Sequence, residues 1–262
     1  MEISKNYTMS SDIKESLIQW KFWLNMSVLD IKNKYIRTVL GPFWVTGTVA
    51  VTIIAIGPVF GVIFDRPLDS YLLHLATGMT FWIYISSSIG ESCGVFLENA
   101  TIIKNTDKPK YIYIFRIISR NTIILFHNIT IPVLIGAYFG FFSYNLIFLV
   151  PFIILTSLLL ALIALPVGIL STRYRDFIPF VQNILQLFFF LTPIFWVAGT
   201  ATARFSFLHL NPFDYLLRAL RMPFYSTYDF KTFVIIFIFM IIFYLLSVLL
   251  YKKYSNKISY WL

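Results

Sequence analysis

Charge is what this chain has least of. Only 13% of its 262 residues are Asp, Glu, Lys or Arg, against 58% that are hydrophobic, and a soluble domain of this length needs a more polar surface. Cys93 is the single cysteine, which excludes an internal disulfide and a Cys-rich metal site. His74, His127 and His209 lie far apart, with no metal-ligand spacing around them. The acidic residues are scattered, which counts against the carboxylate-held metal of a lipid-linked glycosyltransferase. No glycine is followed by lysine, so the phosphate loop Gly-x-x-x-x-Gly-Lys-Ser/Thr is missing and ATP is not bound by that device. No internal repeat is visible, which weighs against an inverted-repeat secondary transporter. The polar start, MEISKNYTMSSD, shows no cleaved signal peptide.

What the chain does have is long apolar runs. Phe233–Tyr251 is uncharged throughout, and about 19 residues at 1.5 Å each reach across a hydrocarbon layer of ~30 Å. Runs over 43–64, 72–97, 117–142, 146–170, 177–197 and 233–251 predict six transmembrane helices. They are too long and too uniformly apolar for barrel strands. The expected fold is a single all-α integral membrane domain.

Lys and Arg set its orientation. They crowd the segment before the first run, the loop after the second, the loop after the fourth and the C-terminal tail, and exceed those on the other side roughly three to one. Both termini are therefore expected in the cytosol. The net charge of +9 then reflects topology and anionic lipid head groups, not nucleic acid.

Residues 12–35 read as an amphipathic helix, with Ile13, Leu17, Trp20, Leu24, Val28 and Ile31 on one stripe and Lys14, Lys21 and Lys32 off it. Asp12 and Glu15 resemble a capping box. Such a helix lies in the head-group plane or packs on the body of the protein. Gly41-Pro42 precedes the first run, and Asp65-Arg66-Pro67 turns the chain after it. The loop 98–110 holds a short helical stretch, Asn99–Lys104, and the turn at Phe142–Asn145 makes the third and fourth runs an antiparallel pair. The external segment is too apolar for a plain loop. There Asn211-Pro212 and Asp214 open a helix with Phe213, Leu216, Leu217 and Leu220 on one face, opposed by Arg218 and Arg221, that stops at Pro223.

Polar groups inside the runs are few. Glu91 lies ~28 Å into the second, near its cytosolic end, where it snorkels, pairs between helices or relays protons. His127 and Asn128, near the midplane of the third, serve as inter-helix hydrogen bonds or line a path. Trp44, Thr48 and Thr52 share a face of the first run. Gln182 and Gln186 share one on the fifth, continued by Phe189, Pro193 and Trp196. Hydroxyls, amides and ring faces suit sugars, but lipid-facing belts also collect aromatics, and packing between helices explains the glutamines equally well.

These features occur in a recognisable order. A Trp-containing helix leads into Tyr35-Ile36-Arg37-Thr38-Val39-Leu40-Gly41-Pro42-Phe43-Trp44, and a basic loop with proline follows the second run. The fifth run ends Leu191-Thr192-Pro193-Ile194-Phe195-Trp196, and Asn211-Pro212-Phe213 opens an external helix whose later arginines include Arg221. Over essentially its whole length the chain resembles the permease subunits of ABC transporters that export polysaccharides: O-antigen permeases with their capsule and teichoic-acid relatives. The resemblance implies a non-enzymatic homodimer in the bacterial cytoplasmic membrane, with two copies of a separate ATP-binding subunit that hold ATP and magnesium. The chain itself would carry no cofactor and no metal. The loop 98–110, with Glu98, Lys104, Asn105 and Lys108, would couple to the ATPase, and residues 201–222 would form external gate helices. Trp44, Thr48, Thr52, Gln182, Gln186, Phe189 and Trp196 would line a path for a glycan on a polyprenyl pyrophosphate. Arg37, Arg173 and Arg175 would attract the pyrophosphate, although topology alone also places arginines there. A drug or lipid exporter of the same fold, and a membrane glycosyltransferase or ligase acting on lipid-linked glycans, are the alternatives.

Overall fold

The computed structural model describes residues 8–38, 41, 43–141, 144–197 and 210–262, and among these the regular elements are all helical. In chain order they are α1 (Met9–Ile18), α2 (Trp20–Tyr35), α3 (Phe43–Ile63), α4 (Leu68–Ser92), α5 (Ala100–Asn105), α6 (Tyr111–Asn128), α7 (Thr130–Tyr138), α8 (Leu149–Arg173, after a 3-10 turn), α9 (Phe177–Leu191), α10 (Pro212–Tyr225), α11 (Phe230–Tyr254) and α12 (Ile258–Trp261). Five stretches are long and apolar enough to cross a bilayer: α3, α4, α6–α7, the 3-10 turn with α8, and α11–α12. The second begins at Leu68 and ends at Ser92, and the third begins at Tyr111, each several residues upstream of the expected bounds.

The fifth expected run is not one continuous helix. Over 177–197 only Phe177–Leu191 is helical, about 22 Å and short of the ~30 Å core. The apolar run hides the reason. Pro193 forces Thr192 out of the α region, and Thr192 is extended (φ −91°, ψ 139°). Its hydroxyl donates to the Phe188 carbonyl at 2.7 Å, closing the last turn.

α4 forms the axis of the bundle: 67% of its apolar window is buried, against 11% for the last span. Leu75, Phe81 and Ile85 are sealed within it, while Phe237, Ile241, Leu245 and Leu249 of α11 face outward. Such an apolar face is untenable in water and ordinary in lipid. Gly57 lets α3 approach α4, since a Cβ there would fall on Leu72. Between α6 and α7, Pro132 cannot donate to the Asn128 carbonyl, which interrupts the helix without turning it. Asn128 is buried and its side-chain oxygen accepts from Thr46 at 2.8 Å, so it joins helices. His127 Nδ1 bonds the Ile123 carbonyl of its own helix at 2.8 Å.

The expected single helix over 12–35 is two helices that meet at Gln19, which caps the end of α1. Thr8 caps α1, not Asp12. The segment packs on the body of the protein through α6. Its body-facing residues mix polar and apolar groups (Asp12, Ser16 and Ser27 with Met9 and Ile31), while Leu17, Ile18, Trp20 and Leu29 point away from the protein. The part of the expected external helices over 201–209 lies outside the described residues. The rest is α10, opened by Asn211, whose side chain accepts from the Phe213 N–H at 3.0 Å. It runs past Pro223 to Tyr225 and ends at Ser226 in the left-handed region. Arg221 does not oppose the apolar face. It is buried with Leu217 and Leu220, because α10 is enclosed nearly all round by α4, α8 and α11.

Candidate functional site

A cleft of about 710 Å³ opens between α4 and α9. Its α4 wall carries Trp82, Ser86 and Gly90 at four-residue spacing, with Ser87 and Glu91 beside them. Its α9 wall carries Gln182, Gln186 and Phe189, and Glu98 closes one end. Trp82 and Phe189 meet across it at 5.8 Å between ring centres. Two glycines make room for its polar groups. A Cβ on Gly90 would lie 3.0 Å from the Gln182 amide nitrogen, and one on Gly94 would strike the Glu98 carboxylate. Burial pushes the Glu98 carboxyl above its ordinary value, while Arg120 and Arg116 pull it down and Glu91 pushes it up. Among the described residues the lining offers amides, hydroxyls, ring faces and carboxylates beside Met79, Ile83 and Leu185, and no lysine or arginine. That is a surface for hydroxyl-rich, uncharged groups.

Behind the cleft the Lys/Arg-rich end of the bundle is tied by charge pairs. Arg116 grips Asp30 of α2 with two nitrogens and donates to Asn99 at 2.8 Å. Arg120 bridges Asp30 (3.1 Å) and Glu91 (2.8 Å), and Asn121 donates to the same Glu91 oxygen at 2.6 Å. Glu91 therefore has the inter-helix role among those expected. A second tie is made by Asp12. Its carboxylate accepts the backbone N–H groups of Lys110 (2.8 Å) and Tyr111 (2.9 Å) and the Tyr251 hydroxyl. A residue of the capping type thus caps another helix, α6, and pins α1 to the last span. Burial raises the Asp12 carboxyl above its ordinary value, against the lowering effect of these hydrogen bonds. The same burial lowers the Lys110 ammonium, which Asp12 and Asp107 partly restore.

The far end is tied differently. Arg221 of α10, buried, donates to the carbonyls of Pro193 (2.8 Å) and His74 (2.8 Å) and to the Thr77 hydroxyl (3.2 Å). A Cβ on Gly78 would fall on its guanidinium, so the glycine is what admits it. Tyr71 donates to the Phe195 carbonyl at 2.7 Å and His74 Nε2 to the Trp196 carbonyl at 3.2 Å. The irregular stretch 192–197 thus has carbonyls served by side chains of α4 and α10. Such service is what permits non-helical backbone at membrane depth.

Gln182, Gln186, Phe189 and Glu98 come together in the cleft. Trp44, Thr48 and Thr52 do not join them. They lie on the outer side of α3, where the hydroxyls of Thr48 and Thr52 donate to carbonyls four residues back (2.9 and 2.8 Å). Trp196 lies beyond α9, its ring N–H on the Phe190 carbonyl at 3.1 Å. Arg37 is exposed on the turn after α2. Arg175 is exposed between α8 and α9, and Arg173 lies over the rings of Tyr174, Tyr254 and Trp261 (5.0–5.4 Å). On α5, Ile103 is buried while Lys104 and Asn105 are exposed. Lys108 turns inward over the Phe22 ring at 4.1 Å. The sequence reading missed the α4 wall, although Trp82, Ser86 and Gly90 repeat every fourth residue.

Comparison with known proteins gives a family and named relatives. The family described as ABC-2 type transporter matches residues 22–225. An O-antigen export system permease protein RfbA of Myxococcus xanthus is 21% identical over 201 residues, 75% of this chain and 77% of that protein. Two proteins of the same name from Klebsiella pneumoniae are 26% and 24% identical over 183 residues, each covering 68% of this chain and 70% of the relative.

Proposed function

The chain belongs to the ABC-2 type transporter family as a multi-pass membrane subunit, and from that premise we propose that it carries a lipid-linked polysaccharide outward across the bacterial cytoplasmic membrane. The observation that carries this reading is the cleft: Gln182, Gln186 and Phe189 face Trp82 and Ser86 in a space that no lysine or arginine lines among the described residues. Amides and hydroxyls exchange weak hydrogen bonds with sugar hydroxyls, and ring faces stack on their C–H faces, so a chain slides without sticking. Relatives named as O-antigen export permeases support the same class of cargo.

In this reading the Lys/Arg-rich end faces the cytosol with both termini. α9 and the stretch after it make a sixth crossing, and two copies form the conduit, where Trp44, Thr48, Thr52 and Trp196 complete the lining. α10 forms part of the external gate. Arg37, Arg173 and Arg175 meet the pyrophosphate of the lipid carrier from outside the cleft. ATP and magnesium belong to two copies of a separate subunit, which docks on α5 through Lys104 and Asn105.

The test is purification of the chain from its native membrane. An ATP-binding subunit should co-purify. Lys104→Glu should abolish both that association and export while the protein still inserts at normal level. Export that continues at the normal rate in Lys104→Glu, or a chain that exports with no ATPase attached, overturns the reading.

A further inference from the structure

We propose that the cleft between α4 and α9 admits uncharged sugar residues and turns away acidic ones, and that Glu98 is the residue that makes the distinction. The inference rests on the glycan-path reading and deepens it. Three carboxylates stand at this end of the cleft and the tie behind it: Asp30, Glu91 and Glu98. Asp30 is held by Arg116 and Arg120, and Glu91 by Arg120 and Asn121. Both guanidiniums are thereby hydrogen-bonded elsewhere and act on Glu98 only through their charge. Glu98 has no ion pair among the described residues, and it lines the cleft in company with Gln182 and Gln186. Lys34 lines a separate small cavity, on the α6 side of Glu91.

The carboxylate lies over the bare α-carbon of Gly94, where a Cβ would force the Glu98 side chain to shift. A carboxylate so placed accepts two hydroxyls of a neutral sugar. A uronate or phosphate-substituted unit brings a like charge within a few ångströms in partly desolvated surroundings, which costs about tenfold or more in affinity.

The experiment uses the full chain in lipid nanodiscs and two probes of equal size: cellotriose, and the same trisaccharide oxidised at C6 to its uronates. Binding is titrated by saturation-transfer NMR at low and high salt. The neutral probe should bind at least about tenfold more tightly, with the ratio falling as salt rises. Glu98→Gln should bring the ratio to about twofold or less. Gly94→Ala, which keeps the charge and displaces it, should shrink the ratio as well. Gln182→Leu with Gln186→Leu should abolish binding of both probes. Equal binding of the two probes to the unaltered chain, lost in the glutamine pair, overturns charge selection and leaves the path reading standing. A large ratio that survives Glu98→Gln overturns the role of Glu98. A neutral probe that does not bind, or binds regardless of the glutamine pair, overturns the path reading and the selection together.

Discussion

Two ties in this bundle, one at each end, hold an arginine by opposite chemistry. At the Lys/Arg-rich end, full charges meet full charges: Asp30 with Arg116 and Arg120, Arg120 with Glu91. At the far end, Arg221 has carbonyls and a hydroxyl as its hydrogen-bond partners. The first arrangement stands partly open, its side chains 15–33% exposed, so salt reaches it more readily than it reaches Arg221. The second is closed, and its acceptors are carbonyls that side chains must serve because a proline ended the helix. The ends therefore differ in what it costs to take them apart. The costly one holds the irregular stretch 192–197, and the cheap one lies beside α5 and the N-terminal helices.

The strongest way to break this comparison is to remove Arg221. Arg221→Met leaves the Pro193 and His74 carbonyls without these donors in a closed site, and should cost about 3–5 kcal/mol, read as a fall in melting temperature in nanodiscs. Arg221→Lys should restore less than half, since a single ammonium does not reproduce the fork that spans three acceptors. A loss below about 1 kcal/mol for Arg221→Met would erase the difference between the ends.

Asp30→Asn sharpens the contrast from the other side. It should cost about 1–2 kcal/mol at low ionic strength and much less in high salt, whereas the Arg221→Met penalty should be indifferent to salt. Equal salt dependence of the two variants would show that exposure does not distinguish the ends.

The smallest effect concerns Asp12. Its carboxyl is raised by burial, so the folded state holds the proton more tightly than the unfolded one. The stabilisation is complete below the ordinary value of 3.8 and is lost as pH rises through the raised value. Mild acid should therefore tighten the docking of α1. Hydrogen exchange of the α1 amides, corrected for intrinsic rates, should slow on acidification in the unaltered chain and lose that dependence in Asp12→Asn. Faster exchange in acid would reverse the sign.

The membrane architecture was legible because bilayer thickness sets run length, and apolar runs are long, local signals. The end of α9 was not, although Thr192-Pro193 stands in the sequence, because apolar residues continue past it to Trp196. Arg221 was misplaced for a related reason: helical periodicity assigns faces, and an all-round buried helix has no polar face to assign. Asp12 has the composition of a cap, but sequence does not say which helix it caps. Gln182 and Gln186 were legible since amides four apart in an apolar helix demand a polar neighbour. Glu98 lies past the last turn of α4, where no periodicity applies, and only the approach over Gly94 shows that it faces the cleft.

The most direct test of the cleft as the glycan path is cysteine accessibility during export. In a Cys93→Ser background, Gln182→Cys and Gln186→Cys should react with a water-soluble thiol reagent and be protected while glycan is passing. Leu187→Cys, one residue along on the outward side of α9, should stay inert throughout. Cysteines at 182 and 186 that stay unreactive, or whose labelling does not change when export runs, would contradict the account.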